Sequence, residues 1–504
     1  MSQRKKFIYH GLLMSIVNIS MRTVTLYFSA FILSRVGEEG VGLFTLLMNV
    51  FSFAVTFVSA GVSLSVTSLV AAEVGLDAPV RRRKILRVAL CYTSLISLGA
   101  TLVLLLCARP LCVHLIGDLR ALVPLRILTF SLFPISLCSV YSGYFVAVRR
   151  VPLNAAVQVL SQLLKILLTV AVLPKTGGFS VSEGIVRLCA VSTLCEAVGF
   201  LCLSILFFFS VPRLRGASPA SRSPSACTAF LGVTVPLALS AYIRQALLTL
   251  EHSLIPKRLL KYQSTTMQQA LADYGALHGM ALPLLLYPLS PLSSFSGLLV
   301  PEFAELESCK DKRRMDSIAS RALSYTLSYA AVICVFLLVF AEELSCLIYK
   351  TPIASVQIFV LAPVVPLMYL DHVTDAILKG IGEHVYSMWV NITDSLLSIV
   401  LLFFLLPELG IMGYAIVILV MEGYNLLLSM IRLCRRVKLR FALGRSLVFP
   451  FLCSLVAALL TSALFALNGS TTPYFFFFLK AIFFLCVFLF LYWLPAIRKP
   501  PILS

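Results

Sequence analysis

The amino-acid sequence predicts an all-α, polytopic membrane protein with about 14 transmembrane helices. Of its 504 residues, 60% are hydrophobic and 12% are charged, and the mean hydropathy is +0.97, whereas roughly a quarter of the residues of soluble proteins are charged. Apolar stretches long enough to cross a bilayer, about 20 residues each, recur from end to end. No polar segment between them approaches the roughly 50 residues of a small soluble domain, so we predict a transporter and not an enzyme.

Hydropathy orders the predicted helices into three groups. The first six are expected at 7–33, 42–72, 88–108, 122–148, 152–174 and 184–211. The next six are expected at 228–253, 268–299, 319–341, 354–380, 383–406 and 411–433, and the last two at 446–467 and 473–496. These groups predict an N-terminal lobe over 1–215, a C-terminal lobe over 216–440 and an extra pair of helices over 441–504.

The net charge of +19 is distributed in a way that excludes a nucleic-acid-binding protein. Lys and Arg collect in alternate short loops between the predicted helices, for example at 81–84 and 432–440. This is the pattern of the positive-inside rule, and it predicts that both termini lie in the cytoplasm. The 14 cysteines include no C-x-x-C pair, so we predict no metal or redox site and no cofactor.

Two stretches of the chain resemble each other. Arg22 precedes Arg35 by thirteen residues, and Arg244 precedes Lys257 by the same interval. A second similarity, at a comparable offset, relates the fourth and fifth helices to the tenth and eleventh. Two six-helix lobes related by an axis along the membrane normal would place a substrate site between them near the middle of the membrane.

Three cations are expected near the centres of predicted helices, at similar depth: Arg22, Lys165 and Arg244. Charges inside a membrane are costly and usually face a cavity or a partner. Arg offers a planar fork of donors and Lys a point charge, so together they suit an anion such as a diphosphate. Alternatively, each cation pairs with a buried carboxylate, such as Glu196 or Glu251, and only holds helices together.

Further cations, Arg35, Lys257 and Arg258, are expected at the outer ends of the two similar helices. They depart from the positive-inside pattern and could form an exit vestibule for anions. Solvated loop charges with no task are an equally good interpretation.

Acidic and amide side chains concentrate in the second half of the chain. Carbonyl and carboxylate oxygens from several helices could bind Na⁺ or exchange a proton, which would couple transport to an ion gradient. The alternative is hydrogen bonding between helices. The ion-coupling candidates are Glu251, Asp371, Asp375, Asn391 and Asp394, with Glu422 nearby in the sequence.

Prolines interrupt or flank the predicted seventh, eighth and tenth helices. Proline removes a backbone hydrogen bond and permits a kink, which is useful where one half of a transporter moves against the other. The residues concerned are Pro236, Pro283, Pro288, Pro291, Pro363 and Pro366.

Four segments carry a family resemblance: Arg22 with Ile32-Leu33-Ser34-Arg35-Val36-Gly37, Ser59-Ala60-Gly61-Val62-Ser63, Leu254-Ile255-Pro256-Lys257-Arg258 and Tyr274-Gly275-Ala276-Leu277-His278-Gly279-Met280. They resemble the stage V sporulation protein B family, in the polysaccharide transporter branch of the multidrug, oligosaccharidyl-lipid and polysaccharide exporters, which are related to lipid II flippases. The last two segments, from the second half of the chain, form the more specific motif.

The resemblance implies a bacterial plasma-membrane protein with two six-helix lobes and two extra helices. It also implies that the chain moves an undecaprenyl-diphosphate-linked oligosaccharide or peptidoglycan precursor to the outer leaflet by alternating access, for cell-wall or spore-cortex assembly. Two other classes stay open: an ion-coupled antiporter of the multidrug and toxin extrusion type, and a membrane scaffold that recruits an envelope polymerase. We expect a monomer, with membrane lipids and a lipid-linked sugar diphosphate as partners.

Overall fold

The computed structural model describes residues 3–75, 79–148, 150–173, 180–210, 225–262, 265–439, 444–466 and 473–498. Within these ranges every regular element is helical, so the predicted all-α, polytopic fold is confirmed. The α-helices are α1 (Gln3–Ser59), α2 (Val62–Gly75), α3 (Pro79–Leu111), α4 (Leu122–Thr129), α5 (Leu132–Ala147), α6 (Val151–Val172), α7 (Val181–Ser210), α8 (Ala226–Leu259), α9 (Met267–Tyr274), α10 (Leu282–Leu286), α11 (Leu289–Ser308), α12 (Lys312–Tyr349), α13 (Ser355–Leu361), α14 (Val365–Gly380), α15 (His384–Leu409), α16 (Ile411–Arg436), α17 (Phe449–Ala466) and α18 (Pro473–Arg498).

In the described ranges, 10 helices are long and apolar enough to cross a membrane, or up to 12 if each of two bent pairs is one span. One of the ten runs from Arg22 to Glu73, 52 residues, which is about 78 Å of helix for a hydrocarbon core of about 30 Å. It therefore covers the first two predicted helices. The shorter apolar helix Phe476–Tyr492 corresponds to the last predicted one, so every predicted span matches helical structure.

The predicted interruption between the first two helices is much shorter than expected. The first predicted helix ends at residue 33 and the second begins at residue 42. In the structure, α1 is broken only at Gly37, where φ is 75° and ψ is 178°. A side chain would be strained at this φ, and glycine adopts it without cost. A single glycine thus redirects the chain where a loop was expected.

The chain forms two compact units by its internal contacts. The first comprises Met1–Ser34 with Asp273–Ser504, and the second comprises Arg35–Ala272. The helix α8 packs on α2 and α3 within the second unit, so this division does not follow the expected boundary at residue 215. The compact units are defined by internal contacts, whereas the six-helix lobes are defined by the internal repeat. The lobes therefore stay a prediction.

In the second unit, α5 is the central helix and packs on α2, α3 and α7. Its side chains Tyr144 and Phe145 are buried in an apolar core with Val66 and Phe230. Burying aromatic side chains of this size is a large favourable contribution wherever the neighbours exclude water and lipid.

In the first unit, α14 has the same role and packs on α11, α12 and α16. A Cβ atom added at Gly380 would lie 2.9 Å from the carbonyl oxygen of Val300 and 2.6 Å from Cβ of Phe303. Only glycine permits this approach of α14 to α11, as small residues do at helix interfaces in membranes. The candidate residues of α14 are thereby held at a tightly packed helix.

Both units contain broken spans. In the second unit, α4 and α5 bend by 44° at Phe130–Ser131, and in the first unit a bend of 59° at Tyr287–Pro288 separates α10 from α11. In the first unit Ala362–Val364 forms a 3₁₀ segment between α13 and α14. Pro288 and Pro363 lie at two of these interruptions, as the sequence predicted.

Candidate functional site

The break between α10 and α11 is the centre of a polar region in the first unit. Pro288 has no N–H to donate into the helix ladder and α10 ends at Leu286, so carbonyl groups around the break need other donors. In a membrane an unsatisfied backbone group costs several kcal/mol, and broken helices occur where other groups replace the lost bonds.

Side chains from three other helices supply those donors. The buried Tyr369 hydroxyl of α14 donates to the Leu285 carbonyl at 2.7 Å, and Tyr329 of α12 donates to the Pro288 carbonyl at 2.8 Å. Arg22 of α1 donates to the Leu286 carbonyl. The break is therefore a polar junction of four parts of the first unit.

Arg22 is half-buried at this junction, within electrostatic range of Tyr369 and His372. Its guanidinium group forms no ion pair with a carboxylate in the described ranges. A guanidinium carries five N–H donors, and one of them binds the Leu286 carbonyl. The ion-pair alternative raised by the sequence is thus not observed for Arg22.

A second cluster joins carboxylates of three adjacent helices. Asp371 of α14, Asp394 of α15 and Glu422 of α16 lie within electrostatic range of one another. Ser429 of α16 forms a side-chain hydrogen bond with Asp371, while Asp371 Oδ1 is buried without a donor in the described part of the chain. Mutual repulsion between carboxylates favours a proton or a bound cation among them.

The remaining ion-coupling candidates of the first unit have partners. The Asp375 carboxylate accepts a hydrogen bond from Ser387 and forms an ion pair of 2.5 Å with Lys379, one helical turn away. Asn391 donates to the Ser387 carbonyl at 2.7 Å. Of these contacts, only the bond from Ser387 to Asp375 joins α14 to α15, as in the alternative interpretation, whereas those with Lys379 and of Asn391 lie within one helix.

Among the candidates of the second unit, Lys165 of α6 lies within electrostatic range of Glu196 of α7. Arg244 is an exposed residue of α8, and no ion pair joins it to a carboxylate in the ranges that the structure describes. Glu251, seven residues further on, is half-buried. The carboxylate alternative is therefore supported for Lys165 and not for Arg244.

The outer candidates lie at helix ends or breaks. Lys257 and Arg258 are in the last turn of α8, where cations interact favourably with the helix dipole. Arg35 is half-buried and precedes the break at Gly37 by two residues. All three belong to the second unit.

Several polar residues were not singled out from the sequence. Tyr329 and Tyr369 satisfy the broken helix, and Asn425 has a buried Oδ1 without a donor among the described residues. Glu422, Asn425 and Ser429 follow one another at i, i+3 and i+7, one face of a helix. That spacing could have revealed the polar face of α16 from the sequence, whereas no local pattern identifies Tyr329 and Tyr369.

The fold defines the class of protein. A lipid II flippase, MurJ, in an inward closed conformation matches with a TM-score of 0.73 and 15% identity over 97% of this chain and 99% of that one. A multidrug resistance MATE family transporter of the MOP superfamily, in an inward-facing conformation, matches with a TM-score of 0.65 and 17% identity over 84% of this chain and 98% of that one. The chain has the fold of these membrane transporters.

The family follows from the sequence match. A family model described as "Polysaccharide biosynthesis protein" matches residues 4–307, and the chain belongs to that family. Stage V sporulation protein B of Bacillus subtilis (strain 168) is 27% identical over 388 residues, which are 76% of this chain and 75% of that protein. The resemblance noted from the sequence is confirmed, and the chain is a multi-pass membrane transporter.

Proposed function

We propose that the chain is a flippase that moves a lipid-linked sugar diphosphate, such as an undecaprenyl-diphosphate-linked oligosaccharide or peptidoglycan precursor, from the inner to the outer leaflet by alternating access. The family match and the similarity to stage V sporulation protein B and to a lipid II flippase support this class of substrate. The proposal places the chain in a bacterial plasma membrane, with both termini in the cytoplasm, and in cell-wall or spore-cortex assembly.

The observation that carries the proposal is Arg22. A guanidinium half-buried in an apolar helix, with no carboxylate partner among the described residues, is expensive to retain. A diphosphate passing through the membrane would supply the missing negative charge. Arg is also the side chain whose planar fork best matches phosphate oxygens.

Arg244 supports the same substrate. It lies on a helix with the composition of a transmembrane span, it is exposed, and it likewise has no ion pair in the described ranges. Lys165 has Glu196 nearby, so we assign it a weaker role in substrate binding. Arg35, Lys257 and Arg258 are proposed to bind the diphosphate on its way out.

The acidic cluster supports coupling to Na⁺ or H⁺. Asp371, Asp394 and Glu422 bring three carboxylates together within the first unit. No three His, Cys, Asp or Glu side chains of the described residues are placed to hold a metal ion together. A bound cation would therefore need other oxygens as well, and we propose Asn425 Oδ1, three residues after Glu422 on α16 and buried without a donor among the described residues, as one of them.

The same cluster also favours the second candidate function, an ion-coupled antiporter like the MATE transporters that share the fold. Such an antiporter needs a carboxylate to bind a cationic substrate. Arg22 and Arg244 argue against that substrate, because their charges would repel it. A scaffold that recruits an envelope polymerase would need neither cation nor acidic cluster.

The test is a leaflet assay with full-length protein in proteoliposomes and a prenyl-diphosphate sugar as substrate. A hydrogen bond to a charged group contributes about 1.5–3 kcal/mol, so Arg22→Gln and Arg244→Gln should each lower the flipping rate by about tenfold or more. Normal flipping by both variants would rule out these two arginines as substrate-binding residues.

Lys480→Gln is the matched control. Lys480 is a cation of α18, and unlike Arg22 it has a carboxylate partner, Glu343. Its loss should affect stability and leave flipping near the wild-type rate. Transport of an organic cation, with no flipping of the lipid diphosphate, would instead identify the antiporter.

A further inference from the structure

A polar cavity of about 600 Å³ lies at the beginning of α12, outside the site described above. Its volume is within the roughly 300–1,000 Å³ of ordinary ligand pockets. Five of its lining residues lie within the first ten positions of α12, and the sixth follows α16. The lining residues are Arg313, Asp316, Ser317, Ser320, Arg321 and Lys438.

The lining is built from one face of α12 and a segment fixed against it. Arg313, Ser317 and Arg321 follow one another at intervals of four residues, so they share a face of the helix. The backbone N–H of Lys438 donates to Asp316 Oδ1 at 2.8 Å, which holds the segment after α16 against α12. The backbone of Lys438 is therefore held beside the helix face that carries the two arginines.

The charge of the cavity is strongly positive. Arg313, Arg321 and Lys438 form no ion pair with any carboxylate of the described residues. The one carboxylate of the lining, Asp316, already accepts the bond from the Lys438 backbone. Three cations and one carboxylate leave a net charge of about +2 facing one small volume, which suits a phosphate group.

Apolar surface begins one turn from the cavity. Tyr325 follows Arg321 by four residues on α12 and is 69% exposed. The seam between α12 and the segment before α17 is closed by a hydrogen bond of 2.6 Å between the Ser324 and Ser446 hydroxyls and by one of 2.8 Å from Ser328 to the Ser446 carbonyl. Beyond the seam, Val448 is 50% exposed.

We propose that this cavity binds a phosphate group, and that in the membrane the group is the headgroup phosphate of an anionic phospholipid. A cationic cavity at the end of a span, next to exposed apolar side chains, matches both parts of such a lipid. On the expected topology the cavity faces the cytoplasmic leaflet. This lipid binds away from Arg22 and independently of any transported substrate.

The test is native mass spectrometry of the full-length protein titrated with short-chain phosphatidylglycerol, with phosphatidylcholine and with inorganic phosphate. A basic side chain near an anionic membrane contributes about 1 kcal/mol. Arg313→Gln, Arg321→Gln and Lys438→Gln should therefore each weaken phosphatidylglycerol binding by about fivefold, and the triple variant by about 100-fold. Circular dichroism of each variant checks that it is folded, and the single variants decide the result if the triple variant is not.

The matched control is a triple variant of cations that lie outside the cavity, Lys312→Gln with Arg314→Gln and Arg435→Gln. It removes the same total charge and should change binding by no more than about twofold, because none of these three side chains lines the cavity. Equal losses in both triple variants, or wild-type binding by the cavity variants, would overturn the proposal. Inorganic phosphate that binds through the same three residues as tightly as the lipid would support the phosphate site and make free phosphate its ligand.

Discussion

The hydroxyl of Tyr369 donates a 2.7 Å hydrogen bond to the carbonyl oxygen of Leu285, at the end of a helix that breaks before Pro288. Tyr369 is 0% exposed, so no solvent can take its place. The bond connects α14, which carries Asp371, to the broken span that contacts Arg22. The proposed substrate-binding cation and the proposed ion-coupling cluster are thus linked in the first unit, because α14 carries Asp371 and bonds to the broken span that Arg22 contacts.

We expect Tyr369→Phe to destabilise the protein by about 1–3 kcal/mol, because the buried Leu285 carbonyl loses its donor while the ring is kept. Thermal unfolding of the purified protein should show a lower melting temperature. Tyr325→Phe is the control, since Tyr325 is 69% exposed and its hydroxyl should contribute little. Equal melting temperatures for both variants would mean that the break does not depend on this bond.

Asp371→Asn should weaken the dependence of transport on an ion gradient, because the proposed coupling cluster loses one of its three carboxylates. Even the loss of a residue that only supports a metal ligand costs about 10- to 100-fold in ion affinity, so the ion concentration for half-maximal transport should rise at least tenfold. Proteoliposomes with imposed Na⁺ or H⁺ gradients provide the measurement. An unchanged gradient dependence would contradict coupling at this cluster.

Asp375→Asn is the control for that experiment. Asp375 lies on the same helix, but its carboxylate pairs with Lys379 at 2.5 Å. We expect this variant to lose some stability and to keep the ion dependence. If Asp375→Asn instead loses the ion dependence and Asp371→Asn keeps it, the ion site includes Asp375.

The stability of the first unit should fall in acid because of Glu383, which lies between α14 and α15. Hydrogen bonds from Arg432 and then Arg436 lower the pKa of this carboxyl group below its ordinary value of 4.5. A lowered pKa in the folded state adds stability above about pH 4.5, and that contribution is lost as the pH falls through the folded-state pKa.

Melting temperatures measured from pH 7 down to about pH 3 check this prediction. Glu383→Gln should melt below the wild type at neutral pH, because it leaves two arginines without their carboxylate. The difference between the two proteins should shrink as the wild-type carboxyl group is protonated. A difference that stays constant across the range would show that Glu383 does not titrate there.

Much of the fold could be predicted from the sequence. Long apolar stretches have one stable solution in a bilayer, the helix, since every backbone group must find its partner within the segment. Hydropathy therefore located the helices, and the prolines at 288 and 363 marked two real interruptions. The boundary between the first two helices was wrong in detail because one glycine, Gly37, replaces the expected loop.

The candidate site was predictable only as a set of costly residues. Their positions inside apolar stretches mark Arg22, Arg244, Asp371 and Asp394 as charges that a membrane protein retains for a reason. These positions do not say which of them have partners, because contacts such as those of Asp371 with Asp394 and Glu422 join different helices. The structure separated Asp375, paired with Lys379, from Asp371, which joins Asp394 and Glu422.

The sequence by itself determined the class of structure, the span positions and the residues that are expensive to keep in a membrane, because these depend on hydropathy and local spacing. Only the tertiary structure decided that Arg22 meets a broken helix, that Tyr329 and Tyr369 satisfy its carbonyls, and that Arg313, Arg321 and Lys438 surround one cavity. Those relationships join residues up to 264 positions apart, and helix packing brings them together.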